Sequence, residues 1–134
     1  MATEINRKLI NVDVTEQGYF NVYVDIINSI YHFKLTSVQK SILSELYLQC
    51  FKYRNLSVED KSNLIFSTNN RRDIVNKLDL ILGTFNNTIS LLRGKKSIYG
   101  VILNDTIINE DYIHYPTEDN LIAVRLKLKT NENE

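Results

Sequence analysis

From Tyr19 to Phe33 the apolar residues Phe20, Tyr23, Val24, Ile27, Ile30 and Tyr31 recur at steps of three and four, which predicts an amphipathic helix. The β-branched residues in this stretch work against helix propensity. The next segment adds a start signal to the period. Thr36 and Gln39 have capping-box spacing, and Val38, Ile42, Leu43, Leu46 and Tyr47 follow on one face up to about Phe51. Between Leu56 and Phe66, Ser57 and Asp60 fit a short helical turn before the run NLIF.

Ser67 or Thr68 can cap a helix that runs through Arg71, Ile74 and Val75 to Leu78. The short stretch Asp79 to Gly83 ends in the residue type that turns most freely, so Gly83 is expected to bend the chain. Thr84 is then placed to cap a second helix with Phe85, Ile89 and Leu92 on its buried face, and Gly94 to stop it. Two short helices joined by a tight turn have the helix-turn-helix layout. Beyond them, Ser97 to Leu103 and Thr106 to Asn109 are β-rich and flank Asn104-Asp105, a hairpin turn pair that predicts a wing. Leu121 to Lys129 reads as a strand with one apolar and one basic face. The fold class expected is α+β, mostly α: a winged helix-turn-helix with a C-terminal β-hairpin wing. Leu78, Leu82, Phe85, Ile89 and Leu92 are expected to form the core that fixes the angle between the two helices. Ile98, Val101 and Leu103 would pack the wing on that core.

A chain of 134 residues that is 43% hydrophobic can build one core, and its four scattered glycines and single proline leave no linker to divide it. The expected organisation is an N-terminal arm over 1–18, a domain over 19–129 and a polar, disordered tail over 130–134. No run approaches the roughly 20 apolar residues of a membrane span, and the start MATEINRKLI lacks the apolar stretch of a secretion signal, so a cytoplasmic location without membrane contact is expected. Cys50 is the only cysteine, which excludes an intrachain disulfide and leaves no Cys/His ligand set for zinc.

Formal net charge is zero, which argues mildly against nucleic-acid binding. The distribution changes that picture. Acids gather in Glu110, Asp111, Glu118, Asp119, Glu132 and Glu134, whereas Arg71, Arg72, Lys77, Arg93, Lys95 and Lys96 fall in one short stretch against only Asp73 and Asp79. Charges separated by more than about 8–10 Å of salt solution are largely screened, so the local basic patch counts for more than the sum. In a helix-turn-helix the second helix lies in the major groove and its N-terminal residues meet base edges. Here that helix carries Thr84, Asn86, Asn87, Thr88 and Ser90, whose amides and hydroxyls can pair with bases or phosphates. Arg93, Lys95 and Lys96 at its exit, and Arg71 and Arg72 on the preceding helix, are placed to hold phosphates. Tyr99 in the wing would lie near the DNA backbone.

An enzyme is not expected. His32 and His114 have no metal-site or nucleophile-triad spacing around them, Glu45, Glu59 and Asp60 read as carboxylates on solvated helix faces, and no phosphate-cradling glycine motif occurs. No cofactor is implied. The eight tyrosines point to an interface, with the Phe20 to Phe33 helix and the strand after Leu121 as candidate surfaces for a homodimer.

The run YFNVYVDIINSIYHFKLTSVQKSIL, followed by NNRRDIVNKLDLILGTFNNTISLLRGKKSIYGVILNDTII, resembles the RepL-type plasmid replication initiator family and its winged-helix relatives in phages and mobile elements. The shared order is an aromatic and apolar first helix, a helix led by a Thr or Ser cap, a helix-turn-helix and a wing. Over Tyr19 to Ile108 the resemblance implies that Thr84, Asn86, Asn87 and Ser90 belong to the recognition helix, and Arg93 and Lys95 to its exit. It implies sequence-specific binding of double-stranded DNA by a regulator of transcription or an initiator of replication. The alternative is a phage virion component that uses the same scaffold to contact other structural proteins, consistent with zero net charge.

Overall fold

A computed structural model describes residues 13–116 of the chain. The strand expected at Leu121–Lys129 and the polar tail lie outside the described residues. Within them the chain is mostly helical, with two very small antiparallel hairpins. Among the described residues no helix is long and apolar enough to cross a membrane.

Helix α1 spans Glu16–Tyr31. It starts ahead of the apolar period because the Thr15 hydroxyl accepts from Gly18 N at 3.0 Å, satisfying a first-turn donor. It stops at His32, whose left-handed backbone (φ 55°) turns Phe33 into the core. Helix α2, Ser37–Lys52, has the capping box its sequence predicts: Thr36 Oγ1 accepts from Gln39 N at 3.2 Å and Gln39 Oε1 accepts from Thr36 N at 3.0 Å. Helix α3 covers Val58–Ile65 behind a Ser57 cap, α4 covers Thr68–Leu78 behind a Ser67 cap, and α5 covers Leu82–Leu92. Ile30 and Val38, expected on buried faces, are exposed.

Helix α2 touches each of the other four helices and is the axis of the core. Its residues from Ile42 to Cys50 are buried without a break, so it has no solvated face in that stretch. That corrects the reading of Glu45, which is only 2% exposed. A buried carboxylate must be paired. The Lys77 ammonium of α4 supplies the pairing, reaching Glu45 Oε2 at 2.8 Å and Oε1 at 3.1 Å, and it also donates to Gln17 Oε1 of α1 at 2.9 Å. Gln17 Nε2 donates to Ser44 Oγ at 3.0 Å, and Ser44 Oγ to Asn21 Oδ1 at 2.6 Å. One polar cluster therefore ties α1, α2 and α4 together.

The turn between α4 and α5 differs from expectation. Asp79, not Gly83, adopts the left-handed conformation (φ 56°), and its N–H bonds back to the Asn76 carbonyl at 3.3 Å. Aspartate tolerates this region because its short polar side chain can bond locally. Helix α5 then begins at Leu82 with Ile81 as a cap that makes no side-chain bond, so Gly83 and Thr84 are helical residues and Thr84 is not the cap. A Cβ built on Gly83 would meet only Ile81 Cδ1 at 4.0 Å. Gly83→Ala is therefore expected to raise stability by about 0.5 kcal/mol, because it lowers the entropy of the unfolded chain without strain. Chemical denaturation checks this, and destabilisation would show that the turn does need a glycine.

After α5 the predicted single wing divides into two hairpins. Strands β1 (Lys96–Ser97) and β2 (Gly100–Val101) pair around Ile98-Tyr99, and β3 (Leu103–Asn104) and β4 (Ile107–Ile108) pair around Asp105-Thr106. The second turn is one residue later than expected because Asn104 lies in the ladder opposite Ile107, while Asp105 takes the left-handed conformation (φ 58°). Ile102, fully buried, joins the hairpins: its N–H donates to the Lys95 carbonyl and its carbonyl accepts from Asn109 N, both at 2.9 Å. Leu103 is buried and Val101 half-buried, as expected, but Ile98 sits at the tip and is 89% exposed.

A short 3₁₀ turn over Glu110–Tyr112 closes the described fold. The Tyr112 ring packs edge-on against Tyr31, Phe33 and Tyr99. Its hydroxyl accepts from Ser97 N at 3.0 Å, lies 2.7 Å from Ser97 Oγ, and donates to the Gly100 carbonyl. Of the eight tyrosines only Tyr99 is exposed, so the abundance read as an interface signal mostly serves packing within the chain.

Glu110 pairs with the buried Lys61 of α3 at 2.7 Å and accepts from the Tyr115 hydroxyl. Burial by itself pushes the Glu110 carboxyl up, but the bonds from Lys61 and Tyr115 outweigh it and hold the group below its ordinary value. A carboxyl with a lower folded than unfolded pKa stabilises the fold above the unfolded value, and that contribution fades as acid protonates it. Stability should thus fall as pH drops below about 4.5, the ordinary value. Glu110→Gln should be less stable near neutrality and show a shallower acid limb in denaturation series run at several pH values. An unchanged acid limb would remove Glu110 from the account.

Candidate functional site

The face of α5 is decided by where its bulky residues fall. Phe85, Ile89 and Leu92 are buried against the core, and Thr88, three residues after Phe85 and four before Leu92, is turned inward with them and is 3% exposed. Thr88 is therefore a core-facing residue and cannot reach a partner. Asn86, Asn87 and Ser90 point the other way and are exposed, with Thr84 half-buried at the edge. Asn86 and Ser90 are four residues apart and Asn87 and Ser90 three, so these groups share one patch. Leu82, expected in the core, is exposed beside it, as are Ile81 and Leu91.

The basic residues divide into bound and open groups. Arg71 is half-buried: its Nε donates to the Phe66 carbonyl at 2.8 Å, its Nη1 donates to Asn86 Oδ1 at 3.0 Å, and its guanidinium lies 5.8 Å and 5.9 Å from the ring centres of Phe66 and Phe85. It joins α4 to α5, which corrects its reading as a free phosphate ligand. Arg93 is likewise engaged, donating from Nε to the Asp105 carbonyl at 3.0 Å with a looser ion pair of 3.7 Å to the Asp105 carboxylate. It binds the end of α5 to the second hairpin while staying partly exposed. Arg72 and Lys96 are exposed and Lys95 half-buried, and among the described residues none of these forms a salt bridge. Tyr99 is half-exposed in the first hairpin, with one edge against Tyr31.

The exposed patch therefore consists of hydrogen-bonding groups on a rigid helix with open positive charge on the neighbouring α4 and β1. Such groups can meet base edges, phosphates or another protein's backbone. Among the described residues no group of three or more His, Cys, Asp or Glu side chains is arranged to hold a metal ion. Burial, with the Glu110 charge nearby, pushes the Cys50 thiol up to about 12, which keeps it protonated and a poor nucleophile. Sequence reasoning read Lys77, Glu45 and Asp105 as a basic-patch residue, a solvated carboxylate and a turn residue, and missed the contacts by which Lys77 and Glu45 join α4 to α2 and Asp105 joins the second hairpin to α5. The one sequence signal for Glu45 is its place between the apolar pairs Ile42-Leu43 and Leu46-Tyr47, which helical periodicity alone does not turn into burial.

No known protein family matches the chain, and no curated protein or solved structure is significantly similar to it.

Proposed function

We propose that this chain is a winged helix-turn-helix protein that binds double-stranded DNA by laying α5 in the major groove. The observation that carries the reading is the outward patch of Asn86, Asn87 and Ser90 on a helix whose opposite face is closed by Phe85, Ile89 and Leu92. Asparagine amides and serine hydroxyls match the donor and acceptor pattern of base edges. In this reading Arg72, Lys95 and Lys96 supply the charge for phosphates, with Arg93 as a partly engaged helper, and the two hairpins serve as the wing. In this reading the protein works in the cytoplasm as a homodimer, without catalysis, as a regulator or RepL-type initiator of a phage or mobile element.

A gel-shift titration across a salt series tests it. Wild-type affinity should fall steeply with salt, and an Arg72→Ala, Lys96→Ala variant should bind more weakly with a slope reduced by about 2, near one for each phosphate that is no longer neutralised. Asn87→Ala should instead lose discrimination between sites, by about 1–3 kcal/mol, at an unchanged slope. Absence of duplex binding at low salt would reject the proposal.

A second reading has its own support. Ile81, Leu82 and Leu91 border the same patch, and Ile81 is 72% exposed, an apolar margin suited to a protein partner such as another virion component. Large assemblies in sedimentation, with no retention of DNA, would favour it.

A further inference from the structure

We infer that Arg71 is a positioning residue that sets the amide of Asn86 for base reading and is not itself a phosphate contact. The inference rests on the DNA-binding reading. An exposed asparagine can rotate its amide and exchange the places of its donor and acceptor, so it meets a base edge in either sense. At Asn86 that freedom is removed. A guanidinium has five N–H donors and no acceptor, so only the amide oxygen can face Arg71, and it does so at 3.0 Å from Nη1. Arg71 is itself held by its 2.8 Å bond to the Phe66 carbonyl and by the Phe66 and Phe85 rings. The amide nitrogen of Asn86, with two N–H groups and no partner among the described residues, is left on the side away from Arg71. A donor fixed in that way suits a purine N7, with the second lone pair of Oδ1 available to the adenine amino group. Because the orientation exists before binding, less of the affinity is lost to ordering this side chain. Asn87, one residue on, has no such support among the described residues.

The decisive variant is Arg71→Lys, which keeps the charge but cannot bond the Phe66 carbonyl and Asn86 Oδ1 through one planar group. A phosphate contact would survive the exchange. A positioning role would not. Arg71→Lys should retain nonspecific affinity and salt slope but lose discrimination at the base read by Asn86, by about 5- to 150-fold, the range of one good side-chain pair. Asn86→Ala should show the same loss, and adding Arg71→Lys to it should change nothing more. Asn86→Asp, which still accepts from Arg71 and so keeps the helix contact, should lose the same discrimination because its outward donor is gone. In the DNA-free protein, the Asn86 side-chain amide NMR signals should shift on Arg71→Lys while backbone signals of α2 stay in place. Wild-type discrimination in Arg71→Lys, or additive losses in the double variant, would overturn the inference and leave the proposed function standing. Failure of the wild type to bind any duplex would instead overturn the proposed function, and the inference with it.

Discussion

Tyr112→Ala should lower stability by about 3–5 kcal/mol, the usual cost of removing a large buried aromatic ring from a packed core. Tyr112 is 1% exposed, and its ring fills the space among Tyr31, Phe33 and Tyr99. A cavity there would loosen the contact between the first hairpin and the end of α1, because Tyr99 and Tyr31 meet beside that ring. Tyr112→Phe separates packing from hydrogen bonding. It keeps the ring but deprives Ser97 N of its acceptor and the Gly100 carbonyl of its donor, at a cost of about 1–2 kcal/mol. Urea denaturation of both variants checks the order. With total stabilities near 5–15 kcal/mol, the alanine variant would have little left to lose, so its midpoint should move far more than that of the phenylalanine variant. Equal midpoints would mean that the hydroxyl, not the ring, is the anchor.

The second large effect concerns charge. Lys77→Ala should destabilise by about 2–3 kcal/mol, since it leaves the Glu45 carboxylate buried without its counter-ion. Both Glu45 oxygens receive their bonds from the Lys77 ammonium, and nothing else among the described residues donates to them. The cost falls below the usual range of about 3–5 kcal/mol because the Lys77 side chain is 47% exposed, so water can enter where it is removed. A double variant, Lys77→Ala with Glu45→Leu, should recover most of the loss by removing the stranded charge as well. A thermodynamic cycle over the four proteins measures the coupling. If the costs of the two single variants simply added in the double variant, the pair would be separable and the account wrong.

Local signals were legible wherever they depend on neighbours in sequence. The Thr36 and Gln39 capping box and the inward face of Phe85, Ile89 and Leu92 follow from spacing and are present, and of the two caps the sequence allows for α4, Ser67 and Thr68, Ser67 is the one used. What spacing could not give was the fate of side chains with distant partners. Arg71 and Arg93 look alike in sequence to Arg72, yet the first two are bonded across helices or to a hairpin and the third is open. Glu45 escapes helical periodicity because α2 is packed on several sides, which erases the polar stripe that such reasoning relies on. Thr88 misleads when residue type is given more weight than position, although its place between Phe85 and Leu92 already turns it inward. The turn departs from expectation because glycine is the usual residue for a left-handed backbone, and here an aspartate takes that role four positions earlier.

The placement of α2 has a consequence for how the protein can meet other molecules. Since this helix is wrapped by its own neighbours from Ile42 to Cys50, a second copy cannot be built by extending the central packing sideways. Within the described residues, association is left to the outer surface, where Val22 and Ile30 of α1, Val58 and Leu64 of α3, Leu82 and Leu91 of α5 and Ile98 at a hairpin tip are exposed. A symmetric pair joined through Asn86, Asn87 and Ser90 would cover those residues in both copies, so the proposed DNA contact requires any such pair to form elsewhere.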